Sequence, residues 1–291
     1  MKPARFAYAR PSTVAEAAEI LQAQGPGAKL ISGGQSLVPL MNFRLALPEV
    51  LVDVARLEEI AGIEDTEGGR LSIGANVTHH EIETWGRQDV LGSLMTHVAG
   101  YIGHLPIRHR GTIGGSLAHA DPAAEWPLLA VLLDAEILAQ GPEGSRSLPA
   151  SDFFETLFTT KLSPEEVLTG VAFEHLPGHA RTGFAEFARR AGDFALVSTA
   201  FAAEVTHNVV SEPRIALGGV AEVPVRCPTA EQTLSGAEPT VSVIRDVGEA
   251  AAAEFEPIAD IHGSSGYRRD LVRALVSRML AKEFGVDLVG G

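Results

Sequence analysis

The sequence predicts an α+β protein of two domains, and three observations carry that prediction. Strand-like and helix-like runs are intermixed along a chain of 291 residues, long enough for two or three modest domains with filled cores. The stretch His175-Leu176-Pro177-Gly178-His179 reads as a linker, placing a larger domain over about 1–175 and a smaller α+β domain over 180–288. Two separate Gly-Gly loops, Gly33-Gly34 and Gly114-Gly115, fall inside the larger one.

Residues 1–58 read as a small α/β unit. Thr13-x-x-Glu16 has capping-box spacing; Val14, Ala17, Ala18 and Leu21 follow at helical spacing, and Gly25 stops the run. Lys29–Ile31 begins a strand that enters the first Gly-Gly loop, and Val50–Val54 is a second buried strand. Farther on, Arg70–Ala75 reads as a strand, Thr78-x-x-Glu81 repeats the capping box, and Val90–Tyr101 reads as a helix. Asp121-Pro122 suits the cap and first turn of a helix continuing through the apolar run Trp126–Leu133. Thr169–Phe173 is strand-like. Beyond the linker, strands are expected over 184–187, 200–205 and 214–219, and helices over 229–234, 243–252 and 267–284. The last helix carries Leu271, Leu275, Val276 and Met279 at core-facing spacing.

Composition excludes several classes. The net charge of −14 argues against a nucleic-acid partner. A single cysteine, Cys227, cannot hold a four-thiolate iron–sulfur cluster or close an internal disulfide. The N-terminus lacks the apolar core of a signal peptide, and no apolar run approaches membrane-spanning length, so the expected compartment is the cytoplasm. His79 and His80 are adjacent, so on a helix they point apart, and no nearby acidic–histidine pattern completes a metal site.

The glycine loops carry the chemistry. Lys29-Leu30-Ile31-Ser32-Gly33-Gly34-Gln35-Ser36-Leu37 is an apolar run ending in freed backbone amides. In Gly111-Thr112-Ile113-Gly114-Gly115-Ser116, the Gly-Gly pair is expected to turn with φ > 0 and to let a ligand approach the backbone. Neither loop is a GxGxxG fingerprint, and no GxxxxGK[ST] occurs, so neither a Rossmann site nor a P-loop is indicated. Two grips suit a long ligand such as a dinucleotide.

Ser32-Gly33-Gly34-Gln35-Ser36-Leu37, Thr112-Ile113-Gly114-Gly115-Ser116, the continuation Ala118-His119-Ala120-Asp121-Pro122-Ala123-Ala124-Glu125, and Phe187-Ala188-Arg189-Arg190-Ala191-Gly192-Asp193 stand in one order along nearly the whole chain. In that order the chain resembles the FAD-binding medium subunit of the molybdenum hydroxylases, the carbon monoxide dehydrogenase and xanthine dehydrogenase flavoprotein group. The resemblance implies a two-part FAD-binding domain of the PCMH (vanillyl-alcohol oxidase-like) type, with parts of about 1–58 and 59–175. A carbon monoxide dehydrogenase flavoprotein-like C-terminal domain would follow over 180–288.

It further implies a noncovalent FAD cradled between the two parts. Ser32, Gly33, Gly34, Gln35 and Ser36 would contact the pyrophosphate, with Lys29 near the adenosine end. Gly111, Thr112, Gly115 and Ser116 would line the other side. Glu125 would accept from a ribityl or ribose hydroxyl, Leu168 would pack near the isoalloxazine, and Ile102 and Gly103 would offer backbone contacts. Leu37, Ile107, Gly114 and His119 complete the implied set. Read singly, Thr112 is also a turn cap, Leu168 also core, and Lys29 also a solvated strand-end charge.

The chain departs from the family pattern at several positions. Ser116 stands where some relatives have Asn, Glu125 where Asp is common, and Gln35 where some have His. Glu186 lies near a position where some carry Lys. His104, His109 and His119 surround the second loop, but no nucleophile–base–orienter set is visible.

The resemblance therefore implies an oxidoreductase subunit that transfers electrons. It would receive them from the two [2Fe-2S] clusters of a small subunit, fed by a molybdopterin-binding large subunit, and pass them to an external electron acceptor, in a dimer of heterotrimers (a heterohexamer). A stand-alone FAD oxidoreductase with its own organic substrate, and a ligand-binding or assembly module, are the alternatives.

Overall fold

The computed structural model describes residues 2–288. In chain order its elements are β1 (Ala7–Ala9), α1 (Val14–Gln24), β2 (Ala28–Ile31), α2 (Leu37–Asn42), β3 (Val50–Asp53), β4 (Ile63–Asp65), β5 (Arg70–Gly74), α3 (His79–Glu83), α4 (Val90–Ala99), α5 (Leu105–Arg108), α6 (Ile113–His119) and α7 (Glu125–Leu132). There follow β6 (Glu136–Gly141), β7 (Gly144–Pro149), α8 (Ala150–Phe153), β8 (Phe154–Thr156), β9 (Thr159–Thr160), β10 (Val167–Glu174), β11 (Ala180–Phe187), β12 (Val197–Thr206), β13 (Val209–Gly218), β14 (Val225–Arg226), α9 (Pro228–Leu234), α10 (Val241–Glu254) and α11 (Ser265–Phe284).

These elements form two compact units that interleave along the chain. The first runs through Ile82 and adds His104–Ala120 and Ala135–Glu174; the second takes Glu83–Gly103, Asp121–Asp134 and the chain from His175 onward. Helices α4 and α7 thus belong to the second unit, although both precede the expected linker.

The first unit holds two larger sheets and the two-stranded β8-β9 pair. One is parallel, in the order β1-β3-β2; the other is antiparallel, in the order β4-β5-β10-β6-β7. Helix α1 buries Val14, Ala17, Ala18 and Leu21, the stripe expected from spacing. Its cap is half a capping box: Thr13 Oγ1 accepts from the Glu16 amide at 3.1 Å, but the Glu16 carboxylate turns back to the Ser12 amide and hydroxyl. Thr78 and Glu81 close a full box, the Thr78 amide donating to Glu81 Oε2 at 2.7 Å and the Glu81 amide to Thr78 Oγ1 at 3.2 Å.

The second unit is built on the antiparallel sheet β11-β12-β13-β14. Strand alternation decides what covers each face. A Cβ at Gly183 would meet Met279 and Glu283 of α11, whereas one at Gly218 would meet the Pro122 carbonyl and Leu128 of α7. Helix α7 is buried on all sides, which the apolar run that follows Glu125 allows. The opposite layer packs Ile244 and Val247 of α10 and Val276, Met279 and Leu280 of α11 against Val197, Phe201 and Ile215.

Two local expectations are corrected. Asp121 does not cap α7: its side chain accepts from the Ala123 amide at 2.9 Å in a tight turn, and Ala124 is the N-cap, without a side-chain bond. Gly114 and Gly115 do not turn with positive φ; they lie inside α6, capped by Thr112, whose Oγ1 accepts from the Gly115 amide. The capping threonine commits the segment to helix before its glycines can turn it.

Candidate functional site

The two glycine loops meet within the first unit. A Cβ at Gly33 would lie 1.8 Å from the Arg110 carbonyl oxygen and 3.0 Å from the Gly111 Cα. Side chains tie the contact: Thr112 Oγ1 donates to Ser32 Oγ at 3.4 Å, Ser32 Oγ to Asn76 Oδ1 at 2.8 Å, and Asn76 Nδ2 to the Val54 carbonyl at 2.6 Å.

The loops contribute differently. Among the described residues, nothing accepts from the amides of Gly33, Gly34, Gln35 or Ser36. Gly34 takes φ +72°, which turns the chain into α2, and the Gln35 side chain donates back to the Gly33 carbonyl at 3.1 Å. The second loop spends most of its amides within the protein. Gly111 donates to Ile107, Ile113 to Val77, Gly114 to Ala75, and Ser116 to Thr112. Its glycines serve packing: a Cβ at Gly111 would meet His79 Nε2 at 2.6 Å, and one at Gly114 the Ala75 Cβ at 2.4 Å. Burial beneath that glycine pushes His79 down to about 4, with the Arg108 guanidinium adding to the shift, so its imidazole is neutral at physiological pH.

A cleft of about 450 Å³ opens beside the first loop, lined by Ser32, Gly33, Gly34 and Gln35 together with Val38 and Pro39 of α2. It also contains Tyr8, Asp53 and Arg110, which sequence reasoning did not assign to a site. They stand at distant positions and form no motif. A second cleft, of about 510 Å³, lies at the start of α1, where Glu59 already accepts from the Val14 amide.

Unpaired amides facing a cleft, held where two backbones touch, suit a diphosphate, so the first loop fits the anionic centre of a dinucleotide. Of the expected residues, Ser32, Gly33, Gly34, Gln35, Gly111 and Thr112 are brought together here. Ser36 and Leu37 open α2, Lys29 is exposed in β2, and Ile107 lies in α5. Gly114, Gly115 and Ser116 lie in α6, and His119 ends it with its ring 5.0 Å from that of Phe158. Leu168 is buried in β10 beside an irregularity in its pairing with β6.

Ile102, Gly103 and Glu125 belong to the second unit. There Glu125 is 5% exposed in the first turn of α7. Burial pushes its carboxyl up to about 8, and the Glu186 and Asp121 charges add to the rise. Glu186 itself is raised by burial to about 7. It shares a sheet row with Ser198 and Gly218 on the face covered by α7, and neither Glu186 Oε2 nor Ser198 Oγ finds a partner among the described residues. Among those residues, no group of three or more His, Cys, Asp or Glu side chains could hold a metal ion.

Residues 4–175 match the family model described as the FAD binding domain in molybdopterin dehydrogenase, and residues 182–282 match the CO dehydrogenase flavoprotein C-terminal domain. The class is thus an FAD-binding flavoprotein subunit of an oxidoreductase. The chain is 36% identical to the nicotine 6-hydroxylase medium subunit of Paenarthrobacter nicotinovorans, over 97% of this chain and 98% of that one. It is 34% identical to the carbon monoxide dehydrogenase medium chain of Hydrogenophaga pseudoflava, over 96% and 97%. A solved carbon monoxide dehydrogenase from that organism, lacking the Mo-pyranopterin moiety of its molybdenum cofactor, superposes with a TM-score of 0.93 at 33% identity, covering 98% of this chain and 99% of the other. The chain belongs to the FAD-binding medium subunits of the molybdenum hydroxylase family.

Proposed function

We propose that this subunit carries a noncovalent FAD which takes electrons from [2Fe-2S] clusters in a small partner subunit and passes them to an external acceptor. Substrate oxidation then belongs to a molybdopterin-binding large subunit, within a cytoplasmic dimer of heterotrimers. The observation that carries the reading is the row of unpaired amides from Gly33 to Ser36, held against Gly111 in the matched FAD-binding domain. Membership of a complex is supported by relatives that are medium subunits or dehydrogenase-complex subunits. The single cysteine places any four-cysteine cluster in another chain.

In this reading the flavin domain spans about 1–175 and the C-terminal domain 180–288. When bound, FAD supplies the redox chemistry, and the protein positions it and adjusts its potential. Ser32–Ser36 hold the diphosphate, with Lys29 adding positive charge toward the adenosine. Gly111, Thr112, Gly115 and Ser116 line the other side, Leu168 packs near the isoalloxazine, Ile102 and Gly103 offer backbone contacts, and Leu37, Ile107, Gly114 and His119 complete the set. Glu125 is protonated near neutral pH and so offers a flavin-chain hydroxyl both an O–H donor and a carbonyl acceptor.

The test is purification of the native assembly with metal and cofactor analysis. One FAD per copy of this chain, with molybdenum and iron in co-purifying subunits, supports the reading. A chain isolated alone that turns over an organic substrate through its own flavin refutes it.

A further inference from the structure

We propose that Glu186 is a positioning residue acting through Glu125: the two carboxyls lie together under the first turn of α7 and hold a proton between them, which keeps Glu125 a hydrogen-bond donor to the flavin chain. The inference rests on reading Glu125 as a contact of a flavin-chain hydroxyl and adds a residue that this reading does not use.

The sheet of the second unit brings the pair together. Glu186 of β11 pairs in register with Ser198 of β12, and Ser198 with Gly218 of β13, so the three stand on one face. A Cβ at Gly218 would lie 2.5 Å from Ser198 Oγ and 3.1 Å from the Pro122 carbonyl oxygen, so that face looks toward the turn that opens α7. The Gly219 amide donates to the same carbonyl at 2.9 Å and pins the turn to the sheet. Asp121 accepts from the Ala123 amide inside the turn, and Glu125 follows as the first residue of α7, 5% exposed.

Polar satisfaction and charge then favour a proton. Glu186 Oε2 and Ser198 Oγ are both buried without a partner among the described residues. An ionised carboxylate in that state is unfavourable, and a proton removes its charge. The charges that bear on Glu125 are those of Glu186 and Asp121, both acidic. Helix α7 carries no other charged residue. On the same sheet face, Arg214 and Arg226 are drawn to Asp134 at the other end of α7, and Arg226 also to Glu231. From α4, His97 packs on Tyr101, whose ring meets that of Phe184 at 5.0 Å. Burial raises both carboxyls, and the Glu186 charge raises Glu125 further. Carboxyls so placed lose their protons in coupled steps. A protonated Glu125 both donates and accepts, whereas an ionised one only accepts. Ionising it therefore removes one bond to the ligand and adds a buried charge beside Glu186.

The test is FAD binding to the full chain stripped of flavin, followed by flavin fluorescence as pH is raised. Wild-type affinity should fall about three- to tenfold, the usual worth of one hydrogen bond, through the titration of Glu125 at about 8. Glu186→Gln keeps the shape and removes the neighbouring charge, so the fall should move to lower pH. Glu186→Met should move it the same way, and supplies the readout if the glutamine variant does not fold. A merely structural role for Glu186 would instead lower affinity at every pH and leave the midpoint where it stands. Glu125→Gln keeps a donor and an acceptor without a titrating group, and its affinity should not change with pH. A wild-type affinity that is flat across the range, a midpoint unmoved in the folded Glu186 variants, or a pH dependence that survives Glu125→Gln overturns the inference. Each of these leaves the flavin-subunit reading intact. A chain that takes up FAD at no pH refutes that reading, and the inference with it.

Discussion

The β-carbon that Gly33 lacks would lie 1.8 Å from the carbonyl oxygen of Arg110. Glycine is required there by the approach of two backbones, since neither can yield as a flexible side chain would. Gly33→Ala should therefore force the two loops apart. The expected loss is about 1–3 kcal/mol, the usual range for overpacking, read as a lowered Tm together with reduced flavin absorbance per folded protein. Full FAD occupancy at unchanged Tm would show that the loops need not touch.

The adjacent glycines of the second loop should separate in the same assay. A Cβ at Gly114 meets the Ala75 Cβ at 2.4 Å and the Ala75 carbonyl at 2.7 Å, whereas one at Gly115 meets only the Thr112 hydroxyl, at 2.9 Å. Gly114→Ala should be the more damaging to folding. Gly115→Ala should disturb the cap alone, at about 1 kcal/mol or less, because alanine itself favours helix. Equal urea midpoints for the two variants would contradict this ordering.

Legibility in the sequence followed the range of the interactions involved. The Thr78–Glu81 box and the α1 stripe were readable because their partners lie within one or two turns of each other. The β6–β7 hairpin was not anticipated: β6 is completed by pairing with the distant β10, and β7 is mostly polar and exposed. Both glycine loops were found, but their roles differ. The first keeps a run of open amides, whereas most of the second loop's are taken, by the Ile107, Val77 and Ala75 carbonyls and by the Thr112 cap. Asp53 and Arg110 reach one cleft through folding alone, and the raised carboxyl of Glu125 comes from its burial in the folded chain, with the charge of Glu186 on β11 adding to it.

That carboxyl gives stability a pH dependence of defined sign. Glu125 sits at about 8 in the folded chain, against an ordinary value of 4.5. Between those values the folded state binds the extra proton, so this group lowers stability as pH rises from about 4.5 to 8, and adds no further change above. Glu186, raised to about 7, acts in the same direction over a narrower window. Glu125→Gln keeps the shape without the titration, so its denaturation midpoint should fall less than that of wild type between pH 5 and pH 8. Parallel pH profiles for the two proteins would place the titrating group elsewhere.

Attachment of the flavin is a separate question. Gln35 offers no imidazole for a histidyl–flavin bond, and its amide already donates to the Gly33 carbonyl. Acid precipitation should release all the FAD into the supernatant, and the denatured chain should show its unmodified mass. A retained flavin mass would establish a covalent link.

The last prediction concerns what the chain does alone. Its only cysteine is buried at the start of α9, and burial pushes that thiol far above its ordinary range, so it takes no part in thiolate chemistry at neutral pH. Around the second loop the structure builds packing: Gly111 lies on a neutral His79, and Thr112 is occupied as a cap. None of these groups is arranged to activate an organic substrate. The isolated chain, loaded with FAD and mixed anaerobically with carbon monoxide, aldehydes or N-heterocycles, should keep its oxidised flavin spectrum. Adding the molybdenum and iron–sulfur subunits with the right substrate should bleach it. Rapid stoichiometric bleaching without those subunits would instead identify a stand-alone flavin oxidoreductase.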